Sequence, residues 1–124
     1  MSKSLYERIG GDSAVRATVI KMYEKILDDE TLAPFFDSID VERLRMSQVG
    51  FVTYAFGGPS AYTGKSLRVA HRDSVRNGLD DTHFDRVALH LKTAMEELQV
   101  APDLIAEALA IVETTRADVL NQSP

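Results

Sequence analysis

The chain has 124 residues, 44% of them hydrophobic, which suits one globular domain with a modest core and leaves no room for a second. A formal net charge of -5 argues against nucleic-acid binding, which relies on clustered Lys and Arg with little opposing acid. With no cysteine, disulfides, zinc–thiolate centres and thiol chemistry are excluded; with neither an apolar run of about 18 residues nor a basic-then-apolar leader, the expectation is a cytoplasmic protein with no membrane partner.

In chain order, Ser4-Leu5-Tyr6-Glu7 has capping-box spacing and Gly10-Gly11 follows a turn later, so the first helix is very short. Asp12 is the expected cap of a longer helix running to about Asp29, with Val15, Val19, Met22, Tyr23 and Ile26 on one face. Thr31 to Phe36 is a brief apolar segment in which Pro34 fits only a first helical turn. From Asp40 to Phe56 the stripe is Val41, Leu44, Phe51 or Val52, and Ala55, with Gln48 in the middle slot. Gly57-Gly58-Pro59 stops that helix, and Gly57 to Gly64 reads as a loop leading to a short helix around His71. Two long helices close the chain. Asp81 to about Leu98 turns Phe84, Val87, Leu91, Met95 and Leu98 inward. Pro102 to about Leu120 turns Ile105, Ala108, Leu109, Val112 and Val119 inward, and the two apolar faces pack together.

Tyr23, Gln48 and His71 break the same rule: each is polar where its helix's period assigns the core. Buried polar groups without partners cost about 1–3 kcal/mol each, and such breaches gather at functional sites. Taken singly, each is an ordinary satisfied core residue. A metal held by protein alone lacks ligands: His83 and His90 stand seven apart, about 10 Å along a helix, and there is no HExxH or EF-hand spacing. His83, beside Asp80, Asp81 and Thr82, belongs to a helix start, and His90 borders the apolar stripe, partly exposed. Haem supplies four nitrogens itself, so one histidine suffices; His71 then becomes the iron ligand, and Tyr23 and Gln48 gain a reason to point inward. Gly57-Gly58 lacks the strand context of a phosphate loop, and Ser66 and Ser74 near His71 make no triad.

Gly10-Gly11, the Tyr23 helix, Phe35-Phe36, Gly57-Gly58-Pro59 with Tyr62-Thr63-Gly64 after it, and Ala70-His71 together resemble the truncated haemoglobins, specifically group I, from Ser4 to about Leu120. The resemblance implies an all-α, two-over-two helical sandwich around haem b (iron protoporphyrin IX), with a mostly extended proximal segment ending in one short helix. It further implies that His71 is the proximal ligand, that Phe36 packs on the haem face and that Tyr23 supplies the distal hydroxyl. Leu44 and Gln48 match the distal-helix positions lining the ligand pocket, and Tyr62, Lys65 and Arg68 lie where members contact the propionates. Leu67 and Phe84 complete the expected cofactor contacts. Some relatives carry a distal-helix histidine able to take the sixth iron position; here the matching residue is Ser47, so an open, five-coordinate ferrous iron is expected. Val52 follows Phe51 where certain members have a bulky aromatic, which alters any gated apolar tunnel.

The expected function is reversible binding of oxygen, with nitric oxide and carbon monoxide as further ligands, by a monomer. An alternative is a nitric oxide dioxygenase, with a peroxidase-like side activity, needing an external reductase because nothing in the chain is recognisable as a flavin or nicotinamide site. The remaining alternative is a haem-free helical interaction module.

Overall fold

A computed structural model describes residues 3–37, 39–59 and 70–122. Helix α1 (Leu5–Ile9) is a single turn and a half, capped by Ser4, whose Oγ accepts the Glu7 backbone N–H at 3.2 Å. It ends at Gly10, where φ is +121°, a conformation that a side chain would strain. Helix α2 (Gly11–Leu27) then starts one residue before the expected cap. Asp12 does not cap it: its carboxylate accepts from Arg16 Nε at 2.8 Å, one turn on, and complements the positive end of the helix from its first turn.

Pro34 sits in the first turn of a four-residue 3₁₀ helix, Ala33–Phe36. Asp40 Oδ1 accepts the backbone N–H groups of Glu42 and Arg43 and opens α3 (Val41–Ala55). The stop after α3 works by close approach. The Tyr6 N–H donates to the Phe56 carbonyl at 2.9 Å, and a Cβ on Gly58 would lie 2.5 Å from the Tyr6 ring and 2.9 Å from the Thr53 methyl. Only glycine lets α1 lie on this corner.

The next three elements are α4 (Arg72–Arg76), α5 (Asp81–Glu97) and α6 (Pro102–Glu113), succeeded by a short α7 (Arg116–Val119). The single helix expected from Pro102 to Leu120 is therefore broken. Thr114 and Thr115 send their hydroxyls back to the carbonyls of Ile111 and Val112 at 2.6 and 2.7 Å, and their own N–H groups bond only three residues back. Such local bonds compete with the helical ladder. Arg116 then fastens α7 elsewhere: it donates to Asp81 (2.9 Å) and Asp85 (2.5 Å) of α5 and to Glu113 (2.6 Å), with its guanidinium 4.4 Å from the centre of the Phe84 ring.

Helix α2 lies at the middle of the fold, against both α3 and α5, while α5 also pairs with α6. The core follows the expected stripes: Val15, Val19, Met22 and Ile26 of α2 meet Leu91, Ala94 and Met95 of α5 and Ile105 and Ala108 of α6. Each large apolar side chain so buried contributes roughly 1.5–3 kcal/mol. No helix of the described residues is long and apolar enough to cross a membrane.

Candidate functional site

Tyr23 is carried on the buried face of α2 by the same periodicity that buries Val19 and Ile26. It is 5% exposed, and its ring meets the edge of Phe36 at a centroid distance of 6.0 Å and an angle of 86°. Burial pushes the phenol's pKa up, so the hydroxyl keeps its proton and remains a donor. It makes no hydrogen bond among the described residues. The Gln48 side chain, half-buried on α3, makes none there either. A hydrogen bond between the two, one of the roles open to Gln48, is therefore not formed. Two polar groups thus stand on the packed pair α2–α3 with their hydrogen-bonding capacity unused among the described residues, where the usual economy of interiors would pair them.

Phe36 and Leu44 are half-buried and pack against the same apolar cluster as Tyr23. Ser47 is exposed. His71 is half-buried and stands at the N-cap of α4, its carbonyl accepting the Val75 N–H at 3.0 Å. Tyr62, Lys65, Leu67 and Arg68, as well as the helix drawn through them towards His71, lie outside the described residues. Phe84 stands apart from the group. It is buried outside the main cluster, beneath Arg116, and lines a groove of about 230 Å³ with Leu109 and Val112.

The other two histidines have settled structural partners. His83 closes the capping box of α5, with Nδ1 accepting the Asp80 N–H at 3.0 Å, and its ring lies 5.0 Å from Phe35. His90 is 2.8 Å from a carboxylate oxygen of Asp29, which sequence reasoning passed over. Asp29 sits in an acidic run, Asp28-Asp29-Glu30, that reads as solvent-exposed, yet its side chain is 4% exposed. Arg86 Nε donates to it at 2.8 Å and the Thr31 N–H at 2.9 Å. The hydrogen bond from Arg86, aided by those from His90 and Thr31, holds the carboxyl below the ordinary range despite burial. The only local signal was the Asp29–Thr31 spacing of an Asx turn.

Among the described residues no three His, Asp or Glu side chains are grouped to hold a metal ion. The described residues offer one imidazole at the start of α4 and, separately, an aromatic edge and two polar groups unpaired among the described residues, a donor set that fits a haem, which brings four nitrogens of its own. The bacterial-like globin family description matches residues 4–121. This chain belongs to the group 1 truncated haemoglobins. The group 1 truncated haemoglobin GlbN of Synechocystis is 43% identical over 122 residues, spanning 96% of this chain and 98% of the relative. Among solved structures, the 2/2 haemoglobin of Synechococcus, in a cyanomet state with covalently attached haem, superposes with a TM-score of 0.91 at 46% identity, covering 97% of this chain and all of that one (100%). The ferric truncated haemoglobin of Tetrahymena pyriformis gives a TM-score of 0.88 at 36% identity, over 95% and 98% of the two chains. As a truncated haemoglobin, the chain is a haem-binding protein with the all-helical 2/2 fold.

Proposed function

We propose that this truncated haemoglobin binds oxygen reversibly at haem b, with His71 as the proximal iron ligand and Tyr23 and Gln48 facing the ligand from the other side. The haem supplies an iron with one coordination position open to a diatomic gas. Everything else is the work of the chain. Phe36 packs on the macrocycle and holds the Tyr23 ring by its edge, which leaves the Tyr23 hydroxyl few orientations. Leu44 and the surrounding apolar cluster keep water away, so a hydrogen bond given there is worth more than one given in solvent. Tyr62, Lys65 and Arg68 hold the propionates, and Leu67 contributes apolar contact to the cofactor, whereas Phe84, beneath Arg116, is left out of it. With no cysteine in the chain, a thioether bond to the haem vinyl groups is not available.

The observation that carries this reading is the buried Tyr23 hydroxyl with no hydrogen bond among the described residues. A phenol so placed has a donor to give to an acceptor from outside the protein. Oxygen, which gains negative charge on binding ferrous iron, is such an acceptor, whereas carbon monoxide and nitric oxide draw on the donor less. Gln48 offers a second amide donor, or an acceptor that orients the phenol once a ligand is present.

The test is the oxygen dissociation rate of the ferrous protein. If the hydrogen bond contributes about 1.5–3 kcal/mol, Tyr23→Phe speeds release about ten- to a hundredfold. A rate within twofold of the parent would remove Tyr23 from ligand binding.

A further inference from the structure

Tyr23 and Phe36 belong to segments joined by a sharp corner, residues 28–32, in which Leu32 packs into the core and one buried carboxylate ties the backbone to α5. The Asp29 backbone carbonyl accepts the N–H groups of Leu32 and Ala33, at 3.0 and 2.8 Å, which sets the start of the 3₁₀ helix carrying Phe36. Its own N–H donates to Ile26, one turn after Tyr23 on α2. Its side chain closes the corner: one carboxylate oxygen accepts the Thr31 N–H, and the other accepts from Arg86 Nε and His90 Nε2, two residues one turn apart on α5. The link to α5 spans 57 and 61 residues of sequence. Because the carboxylate stays ionised, His90 is the donor in its contact and carries its proton on Nε2.

From this geometry we infer that Asp29 is a positioning residue for the distal pocket: it anchors the α2 corner to α5 and thereby fixes the Tyr23–Phe36 pair that presents the hydroxyl to a bound gas. Within the corner Leu32 is buried in the core cluster, but the carboxylate is its directional tie to α5. Thr31 is exposed, the 3₁₀ helix buries none of its four residues fully, and its contact with α2 is what holds the Phe36 edge against the Tyr23 ring. Loss of the carboxylate frees the corner to move on α5, the aromatic pair loosens, and the phenol samples orientations that miss the ligand. Arg86 and His90 act through Asp29 and touch neither ring.

This inference rests on the reading of Tyr23 given above, and a cycle of variants separates the two. Haem-loaded Asp29→Ala, Tyr23→Phe and the double variant are compared with the parent by the infrared C–O stretch of the carbon monoxide complex and by the oxygen dissociation rate. Asp29→Ala is expected to move intensity from the hydrogen-bonded C–O band to a higher-frequency band and to speed oxygen release about three- to tenfold. In the Tyr23→Phe background the same substitution is expected to change neither. Arg86→Leu, at a half-exposed position that threatens no core packing, is expected to move both readouts in the same direction by a smaller factor, and it decides the matter if Asp29→Ala does not fold. A parent-like band and rate in a folded Asp29→Ala would overturn the inference, as would an effect that persists undiminished in the double variant. If Tyr23→Phe alone leaves band and rate unchanged, the reading of Tyr23 fails, and with it the inference.

Discussion

The proposed function has Tyr23 trade stability for a ligand contact. A phenol 5% exposed whose hydroxyl bonds to no described residue forgoes a hydrogen bond worth about 1 kcal/mol to a paired one. Tyr23→Phe removes the stranded group while keeping the ring and its edge contact to Phe36. It is therefore expected to leave the haem-free protein as stable as the parent, or up to about 1–2 kcal/mol more stable, in a urea titration, while oxygen leaves the loaded protein faster. A loss of stability beyond about 1 kcal/mol would mean that the hydroxyl has a protein partner after all. Among the polar residues in core positions, Tyr23 and Gln48 are legible as anomalies from periodicity alone. Asp29 is not, because its partners Arg86 and His90 come from α5 and its neighbours Asp28 and Glu30 lie in the same acidic run.

At the scale of elements, the helices read most easily are those with an unambiguous 3.6-residue stripe and a side-chain cap, such as α3 behind Asp40 and α5 behind Asp80. The break between α6 and α7 was hidden because no glycine or proline marks it. Two adjacent threonines end the ladder instead, and Arg116 redirects the chain into α7. Hydrogen bonds from Arg116 to Glu113 and Asp85, then Asp81, push its pKa up against the cost of burial, so this cation stays charged at all working pH values. Its carboxylate partners are 58–64% exposed, which screens the pairs, and the contact over Phe84 adds to them. Arg116→Met is expected to cost about 1–2 kcal/mol in thermal or urea unfolding. The loss is also expected to appear locally, as faster amide hydrogen exchange in residues 116–120. Unchanged exchange there would show that α7 is held by its apolar neighbour Leu120, which is itself buried.

For the whole molecule, the pairing of α5 with α6 was legible because both carry apolar faces of the right period, and the two-over-two arrangement because the resemblance implies it, while the cross-links that fix the helices' mutual placement were not. Those cross-links are ionic, and they set the response to acid. Asp29 is held low chiefly by Arg86, Glu97 by Lys25, Glu107 by Arg8 and Glu113 by Arg116. Each carboxyl therefore titrates lower in the folded chain than in the unfolded one, where values run about 3.9 to 4.3. Their stabilisation is complete above that range and fades as pH falls through it towards the folded values. The unfolding midpoint is accordingly expected to hold between pH 7 and about 5 and to drop below about pH 4, with a smaller drop in Asp29→Asn; equal drops would take Asp29 out of the acid response. In the proposed function, gas binding turns on a haem that His71 would hold, with Tyr23 supplying a donor to the gas. The most direct measurement is the absorption spectrum of the haem-loaded ferrous protein without added gas, taken for the parent and for His71→Ala. A five-coordinate, high-spin spectrum in the parent is predicted, lost in His71→Ala and restored when imidazole is added to solution. A six-coordinate spectrum in the parent, or a Soret band that stays the same in His71→Ala, would contradict it.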